Sequence, residues 1–337
     1  MTRRPDGSSF PPRLRGALPL VVLLDDWQRS ALASADWGRL DGRARVRAIA
    51  RPLPDEEAVV LALRHAAVVV AMRERTPFTA GLLARLPELR LLVTTGARND
   101  AIDLAAAADH SIVVSATRSA PFDAAELAWA LILAAYRRIP EQSARLRRGG
   151  WTGGLGRSLD GRTLGVVGLG RLGGRVAKVG LAFGMDVVAW SANLTDGRCA
   201  EVGVRRASTL ESLLSESDVA TIHLRLSDRT RGLIGEAALR RMRPDAVLVN
   251  TSRGPIVDED ALIRACSEGW IGAAALDVFD EEPLPRDHAF RRLPNVLATP
   301  HLGYVADGSW TRWYAEALED VEAWLDGMPI RVLTPGG

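Results

Sequence analysis

Three short stretches in the second half of the chain each lead from an apolar run into polar groups. They read Val249-Asn250-Thr251-Ser252-Arg253-Gly254, Ala275-Leu276-Asp277-Val278-Phe279-Asp280-Glu281-Glu282-Pro283 and Thr299-Pro300-His301-Leu302-Gly303. If each apolar run is a strand of one open α/β sheet, the polar ends meet in one crevice, because ligands of such sheets sit outside the C-terminal strand edges. An arginine, a carboxylate and a histidine gathered there suit the reduction of a 2-keto acid. The arginine orients keto and carboxylate oxygens through charge-assisted hydrogen bonds. The histidine gives or takes the hydroxyl proton, and the carboxylate stabilises its charged form. A lone histidine is more often a packed core residue, so it is the company of Arg253 and Glu282 that singles out His301.

The segment TLGVVGLGRLGGRVAKVGLAFG carries Gly168-x-Gly170-x-x-Gly173. It follows an apolar strand and opens an amphipathic helix, which is the setting a dinucleotide requires. Gly168 permits a tight turn, Gly170 lets backbone amides approach a pyrophosphate, and Gly173 lets the helix pack on the strand. The helix start supplies unpaired N–H groups and a positive dipole. Gly168, Gly170, Arg171, Leu172 and Gly173 are therefore cofactor-binding candidates. The acidic residue expected to grip the adenosine ribose at the end of the next strand is absent; Ser191 stands there, followed by Ala192, Asn193, Leu194 and Thr195. Nothing at that point repels a 2′-phosphate, and Arg198 is near in sequence, so both NAD(H) and NADP(H) are admitted.

These groups need a scaffold, and the chain has the length for two domains at 337 residues. Its 47% hydrophobic and 25% charged content excludes wholesale disorder. A net charge of +2 gives no field for nucleic acid or an anionic membrane. Lys178 is the only lysine among 43 basic residues, so an arginine counts only in a specific context. Cys199 and Cys266 form no CxxC and have no histidine nearby, which argues against a metal site and for free thiols in a reducing cytoplasm. No apolar run reaches the ~18 residues of a membrane span. Residues 1–17, rich in Arg, Ser and Pro, read as a disordered tail.

Strands are expected at Leu18–Leu24, Val46–Ala50, Ala67–Ala71, Leu89–Thr94 and Ser111–Ser115, with helices at Trp27–Ala35, Asp55–Arg64, Thr79–Arg85 and Ala101–Ala108. A longer helix over Phe122–Ile139 is closed by Pro140, and the glycine-rich stretch from Arg147 to Arg162 reads as the crossing between domains. A second series follows, with strands at Thr163–Gly168, Asp186–Trp190, Val219–Leu224, Ala246–Asn250, Gly272–Val278 and Val296–Thr299. The last helix, Asp307–Leu325, bears Trp310, Trp313 and Trp324 and reads as a packing face between domains. Ile330–Leu333 is a strand-like piece that returns to the first domain. Alternation of this kind means parallel strands with helices on both faces. The fold class is α/β, with two doubly wound domains, Rossmann-like and flavodoxin-like, and a cleft between them. Residues 18–118 plus 305–337 form a discontinuous substrate domain, and 119–304 the dinucleotide-binding domain.

From about Leu18 to Leu325 the chain resembles the D-2-hydroxyacid dehydrogenase family, whose motifs occur here in order. The resemblance makes Arg253 the substrate-orienting arginine, Glu282 the catalytic glutamate and His301 the acid/base; register to Pro283 selects Glu282 over Glu281. It places Asp277 near the nicotinamide carboxamide, and Thr251 and Gly303 join it among the cofactor candidates. It makes Thr94–Ala97 the loop whose amides hold the substrate carboxylate, so Thr95, Gly96 and Ala97 are substrate candidates. Arg73 aligns with an arginine that reaches substrate in phosphoglycerate-type members. Three departures stand out: Gly-x-Gly of the substrate loop reads Gly96-Ala97-Arg98, the ribose acid is Ser191, and a proline often found two residues after His223 is Arg225.

The reading implied is an NAD(P)-dependent dehydrogenase of a 2-hydroxy acid, working as a homodimer; the resemblance makes the helix at 122–139 a face for the second subunit, and its Ala/Leu side equally suits packing between domains. A small 2-hydroxy or 2-keto acid is its partner, and nucleic acid, membrane and metal are not. Two rivals share the fold. A formate dehydrogenase would carry Gln in place of Glu282, and a corepressor that senses NAD(H) would keep the same three groups.

Overall fold

The computed structural model describes residues 17–119 and 122–335. The chain divides into two compact units: the described residues before Phe122 together with those from Asp307 on, and Phe122–Ala306. The divisions fall three and two residues beyond the expected 118/119 and 304/305. Residues 1–16 of the expected tail lie outside the described residues.

In the first unit β1 (Leu20–Leu23), β2 (Arg45–Ala48), α1 (Glu56–Leu63), β3 (Val68–Ala71), α2 (Ala80–Ala84), β4 (Leu91–Thr94), α3 (Leu104–Asp109) and β5 (Val113–Ala116) follow in order. The strands form one parallel sheet of order β2-β1-β3-β4-β5, a flavodoxin-like winding. Central β3 and β4 are buried at every residue, as strands covered on both faces must be. Asp55, Thr79 and Asp103 start the three helices by accepting from the backbone three residues on.

The helix expected at Trp27–Ala35 does not form. Asp26 accepts from the amides of Ser30 (2.9 Å) and Ala31 (3.1 Å), while Asp25 and Arg29 take left-handed φ of 60° and 56°. The short polar side chain has captured amides that a helix would have used.

The second unit opens with α4 (Asp123–Tyr136) and α5 (Ile139–Arg147). It continues through β6 (Thr163–Val167), α6 (Arg171–Ala182), β7 (Asp186–Trp190), α7 (Asp196–Val202), β8 (Arg205–Arg206), α8 (Leu210–Glu216) and β9 (Val219–Ile222). Then come α9 (Glu236–Leu239), β10 (Val247–Asn250), α10 (Glu259–Ser267), β11 (Ala273–Leu276) and β12 (Val296–Ala298). The parallel sheet runs β12-β11-β10-β9-β6-β7-β8. This is the Rossmann order with one strand added at an end, and its order reverses between β6 and β9. Alternate residues feed two apolar layers: Val188, Ala220, Ile222 and Leu248 on one face, Val187, Ala189, Val219 and Val247 on the other.

Two expectations are corrected here. Pro140 opens a helix rather than closing one: α4 ends at Tyr136, Arg138 turns left-handed at φ 52°, and Pro140 sits in the first turn of α5. The glycine-rich stretch after α5 is not a crossing between units. It folds back within the second unit, where Arg157 donates its amide to Tyr136 O (2.8 Å) and lays its guanidinium over the Tyr136 ring.

Helix α11 (Asp307–Leu325) returns to the first unit. Trp310, Trp313 and Tyr314 are buried on it, and Tyr314 meets Trp37 edge-on at 6.4 Å. The segment after it pairs with β5: Ala116 N donates to Arg331 O (3.0 Å) and Leu333 N to Val114 O (2.8 Å). Arg331 Nε is 2.9 Å from Asp320 Oδ1, whose other oxygen is buried without a partner among the described residues.

Burial pushes the Asp320 carboxyl up to about 7, against the pull of Arg331 and with a push from Glu316 and Glu319. The folded chain binds this proton more tightly than the unfolded one, whose carboxyl titrates near the ordinary 3.8. Stability from this group therefore falls as pH rises between those values. Asp320→Asn imitates the protonated acid. Its Tm advantage over the parent is expected to widen by several degrees between about pH 5 and about pH 8 in thermal melts. A gap that does not change with pH counts against the assignment.

Candidate active site

The glycine loop joins β6 to α6 beside the point where the sheet order reverses. Gly168 holds φ +102°, and a Cβ there would lie 2.8 Å from His223 O. A Cβ on Gly173 would lie 1.9 Å from Gly168 O, so only glycine lets α6 pack this close to the turn. A Cβ on Gly170 would meet nothing within 4 Å, which leaves open space over the loop where a pyrophosphate would lie. Arg171 and Leu172 form the first turn of α6. At the end of β10 the Thr251 hydroxyl is buried with no hydrogen-bond partner among the described residues. The donor-rich, uncrowded loop and that orphan hydroxyl fit a dinucleotide.

At the end of β7, Ser191 is half-buried and Asn193 exposed, with no carboxylate at the ribose position. Arg198 lies over the loop, its guanidinium donating to Leu169 O (3.1 Å), Gly170 O (3.3 Å) and Glu201 (2.9 Å). His223, at the end of β9, places Nε2 3.0 Å from Thr221 Oγ1. Burial pulls its imidazole down to about 4, so it is neutral at ordinary pH.

Arg253 leaves β10 on a turn shaped by Asn250, whose side chain accepts from Ser252 N (3.0 Å) and donates to Arg253 O (2.9 Å). Gly254 lets that turn meet the loop after β11: a Cβ there would lie 2.1 Å from the Phe279 carbonyl carbon. Glu282 on the same loop accepts from Phe279 N (2.9 Å) through Oε1 and from His301 Nδ1 (2.5 Å) through Oε2. Burial pushes the Glu282 carboxyl up, but the His301 hydrogen bond and charge, the Phe279 amide and the Arg253 charge outweigh it and hold it below its ordinary value. The Glu282 and His301 side chains remain 33% and 25% exposed, so the pair is reachable. Tyr304 stands edge-on to the His301 ring at 5.2 Å.

Asp277 is fully buried at the end of β11. Its Oδ1 accepts from the Thr299 hydroxyl (2.6 Å) and Leu302 N (2.7 Å), and its Oδ2 from Gly303 N (2.8 Å). Burial pushes its carboxyl up, against these bonds and the His301 charge.

The second unit thus gathers Arg253, Asp277, Glu282, His301, Thr251, Gly303 and the glycine loop at one edge of its sheet. Arg73, Thr95, Gly96 and Ala97 belong to the first unit, at the C-terminal ends of β3 and β4. There Arg73, at φ +51°, donates Nη1 to Thr95 O (3.2 Å) and lies so close over Gly96 that a Cβ would be 1.7 Å from that nitrogen. Two amides expected to hold substrate are already used: Thr95 N donates to Ala71 O (3.0 Å) and Gly96 N to Thr117 Oγ1 (2.7 Å). The amides of Ala97 and Arg98, both exposed residues, make no hydrogen bond among the described residues. Of the expected donors only Ala97 is open, now followed by Arg98, because Ala71 O and the Thr117 hydroxyl have taken the two before it.

Sequence reasoning missed Asn250, Gly254, Thr299 and Thr117. The first three stand beside residues that it chose, and their small or amide side chains were the available signal. Thr117 gave none, being 21 residues from the amide it caps.

Residues 129–303, more than half the chain, match the family described as D-isomer specific 2-hydroxyacid dehydrogenase, NAD binding domain. The chain is 43% identical over 256 residues to a glyoxylate reductase of Aeropyrum pernix, covering 73% of this chain and 76% of that one. Its fold is similar to that of a phosphoglycerate oxidoreductase from Vibrio cholerae at TM-score 0.87 and 35% identity, over 92% of this chain and 100% of that one. A D-lactate dehydrogenase from Aquifex aeolicus, solved with NAD and lactic acid, is similar at TM-score 0.74 and 29% identity, over 91% and 96%. The chain belongs to the D-isomer-specific 2-hydroxyacid dehydrogenase family. It is an NAD-dependent oxidoreductase acting on a CH–OH group.

Proposed function

We propose that the chain interconverts a small 2-keto acid and its D-2-hydroxy acid, with His301 as acid and base. The observation that carries this reading is the His301–Glu282 pair. Glu282 occupies Nδ1, which leaves Nε2 as the atom that exchanges a proton with the substrate oxygen. A bound nicotinamide supplies or accepts the hydride at substrate C2. In reduction, protonated His301 gives its Nε2 proton to the carbonyl oxygen. Glu282, kept ionised by its neighbours, stabilises the imidazolium before transfer. Arg253 pairs with the substrate carboxylate and polarises the carbonyl. Within the first unit, the amides of Ala97 and Arg98, with Arg73, are proposed as an anion-binding group.

The cofactor set is proposed as NAD(H) or NADP(H), since Ser191 puts no charge against a 2′-phosphate. The two buried free thiols fit a reducing compartment, and the cytoplasm is proposed. No helix among the described residues is long and apolar enough to cross a membrane. The test is a matrix of initial rates. NADH and NADPH are each paired with glyoxylate, hydroxypyruvate, pyruvate, phenylpyruvate and 3-phosphohydroxypyruvate, and His301→Ala serves as control. Oxidation that disappears in the variant supports the reading and names the substrate class. No oxidation of either cofactor by any acid refutes it.

A homodimer is proposed as well, through a different face from the one expected. Helix α4 turns its apolar side into its own unit, where Ala128, Trp129 and Ile132 are buried. The face open to a second copy is α5 and the loop after it, where Ile139, Leu146, Trp151 and Leu155 are exposed, Leu155 to 92%. Replacing Trp151 and Leu155 together by glutamate is expected to give a monomer in sedimentation with an unchanged Tm. A dimer that persists rules this face out.

A further inference from the structure

Gly168 and Gly170 flank Leu169 in the glycine loop, and glycine opposes rotation of the adjoining peptide least of all residues. A peptide unit is planar and trans, so its carbonyl and its N–H point opposite ways. Rotation of the Leu169–Gly170 peptide would therefore put a carbonyl where an anion needs an amide. The structure holds that peptide from outside the loop. Arg198 donates Nε to Leu169 O (3.1 Å) and Nη2 to Gly170 O (3.3 Å), while its Nη1 meets Glu201 Oε2 at 2.9 Å. With Leu169 O turned toward Arg198, the Gly170 amide is turned away from it, and that amide makes no hydrogen bond among the described residues. The arginine is itself seated by two neighbours. Thr195 caps α7 by accepting from Arg198 N (3.2 Å). Gly174 leaves room for the guanidinium, since a Cβ there would lie 2.8 Å from Nη2.

We propose that Arg198 is a positioning residue for the dinucleotide: it clamps two consecutive carbonyls of the glycine loop, so that the loop keeps its amides toward the phosphates. A planar fork of fixed geometry suits two neighbouring carbonyls, and its charge strengthens both bonds. Nearness in sequence to Ser191 would instead make Arg198 a receptor for a 2′-phosphate. The geometry is against that, because each of its three guanidinium nitrogens already has an acceptor. The clamp acts on the loop that both cofactors share, and so it serves NADH and NADPH alike. It requires only that the loop binds a dinucleotide, whichever keto acid is reduced and whatever His301 does.

The test measures calorimetric Kd for NADH and for NADPH in the parent, Arg198→Met, Gly174→Ala and the double variant, with Arg206→Met as control. Arg206 pairs with Asp196 at the start of α7 (3.1 Å) and makes no bond to the loop. Loss of two charge-assisted bonds in Arg198→Met is expected to weaken each cofactor about 10–30-fold, with the ratio of the two Kd values kept within about threefold. In the cofactor-free protein, hydrogen exchange at Gly174, whose amide donates to Gly170 O (2.9 Å), should accelerate in the same variant. Gly174→Ala should separate stability from binding. Alanine favours the helix, so Tm should not fall. Its Cβ displaces the guanidinium, so Kd should weaken about 3–10-fold. That loss should vanish where Arg198 is already methionine. A loss confined to NADPH would overturn the proposal and make Arg198 a 2′-phosphate receptor. Unchanged Kd and exchange in Arg198→Met would overturn it too, as would an equal loss in Arg206→Met, which would reduce the effect to charge. If Arg198→Met does not fold, Gly174→Ala decides: a weaker Kd at undiminished Tm supports the clamp, and an unchanged Kd refutes it.

Discussion

Replacing His301 by alanine is expected to lower kcat about 10²–10⁴-fold, the span set by losing a positioned general acid. The Kd for NADH should stay within about twofold, because the ring takes no part in the glycine loop that holds the dinucleotide. The argument is geometric first. One ring nitrogen is held 2.5 Å from a carboxylate that its neighbours keep ionised, and the side chain is one-quarter exposed. Alanine removes the proton donor but leaves Glu282 its hydrogen bond from Phe279 N and the field of Arg253. The site should therefore stay folded, and the loss should fall on the chemical step. Stopped-flow turnover with saturating cofactor, beside calorimetric NADH binding, separates the two. Undiminished kcat in this variant removes His301 from the reaction.

The second large effect is expected at Gly173. Alanine there puts a Cβ 1.9 Å from the Gly168 carbonyl oxygen, far inside contact distance, and the atom it meets is backbone that cannot swing aside as a side chain would. The start of α6 must move away from β6, which drags the amides of the phosphate loop out of line. Affinity for NADH is expected to fall about 100-fold or more, since the loop and the helix dipole act as one site. Gly170→Ala is the matched control. Its Cβ meets nothing within 4 Å, so the variant should have the parent's Tm. Any loss of affinity there then reports how closely a bound phosphate approaches. Equal affinity in Gly173→Ala and the parent would refute the packing argument.

The strands were legible because parallel sheets bury both faces, and a run such as Val68–Ala71 has few other uses. The bounds of β7 and α11 coincide with those read from the sequence. Arg253, Glu282 and His301 could be singled out because each follows a strand run beside glycine or proline. Failures came where a side chain overrides a pattern. Asp26 takes two amides and cancels a helix that the apolar spacing favoured. Arg138 turns left-handed and converts one long helix into two. The spent amide of Gly96 is a further case, since its partner lies on another strand end, and no local signal records such a pairing.

The pairing of residues 331–333 with β5, together with α11, has a consequence for the order in which the chain is made. The second unit is drawn from one uninterrupted span and has all its strands once Ala306 has been synthesised. The first unit contributes the opening strands yet stays incomplete until α11 brings Trp310, Trp313 and Tyr314, and until Arg331 and Leu333 reach β5. Its sheet must therefore wait on the ribosome, with apolar surface uncovered, while residues 122–306 are made. Closing so long a loop is entropically slow. The half of the protein that begins first is the half that finishes last, and the nascent chain is most exposed to misassociation in that interval.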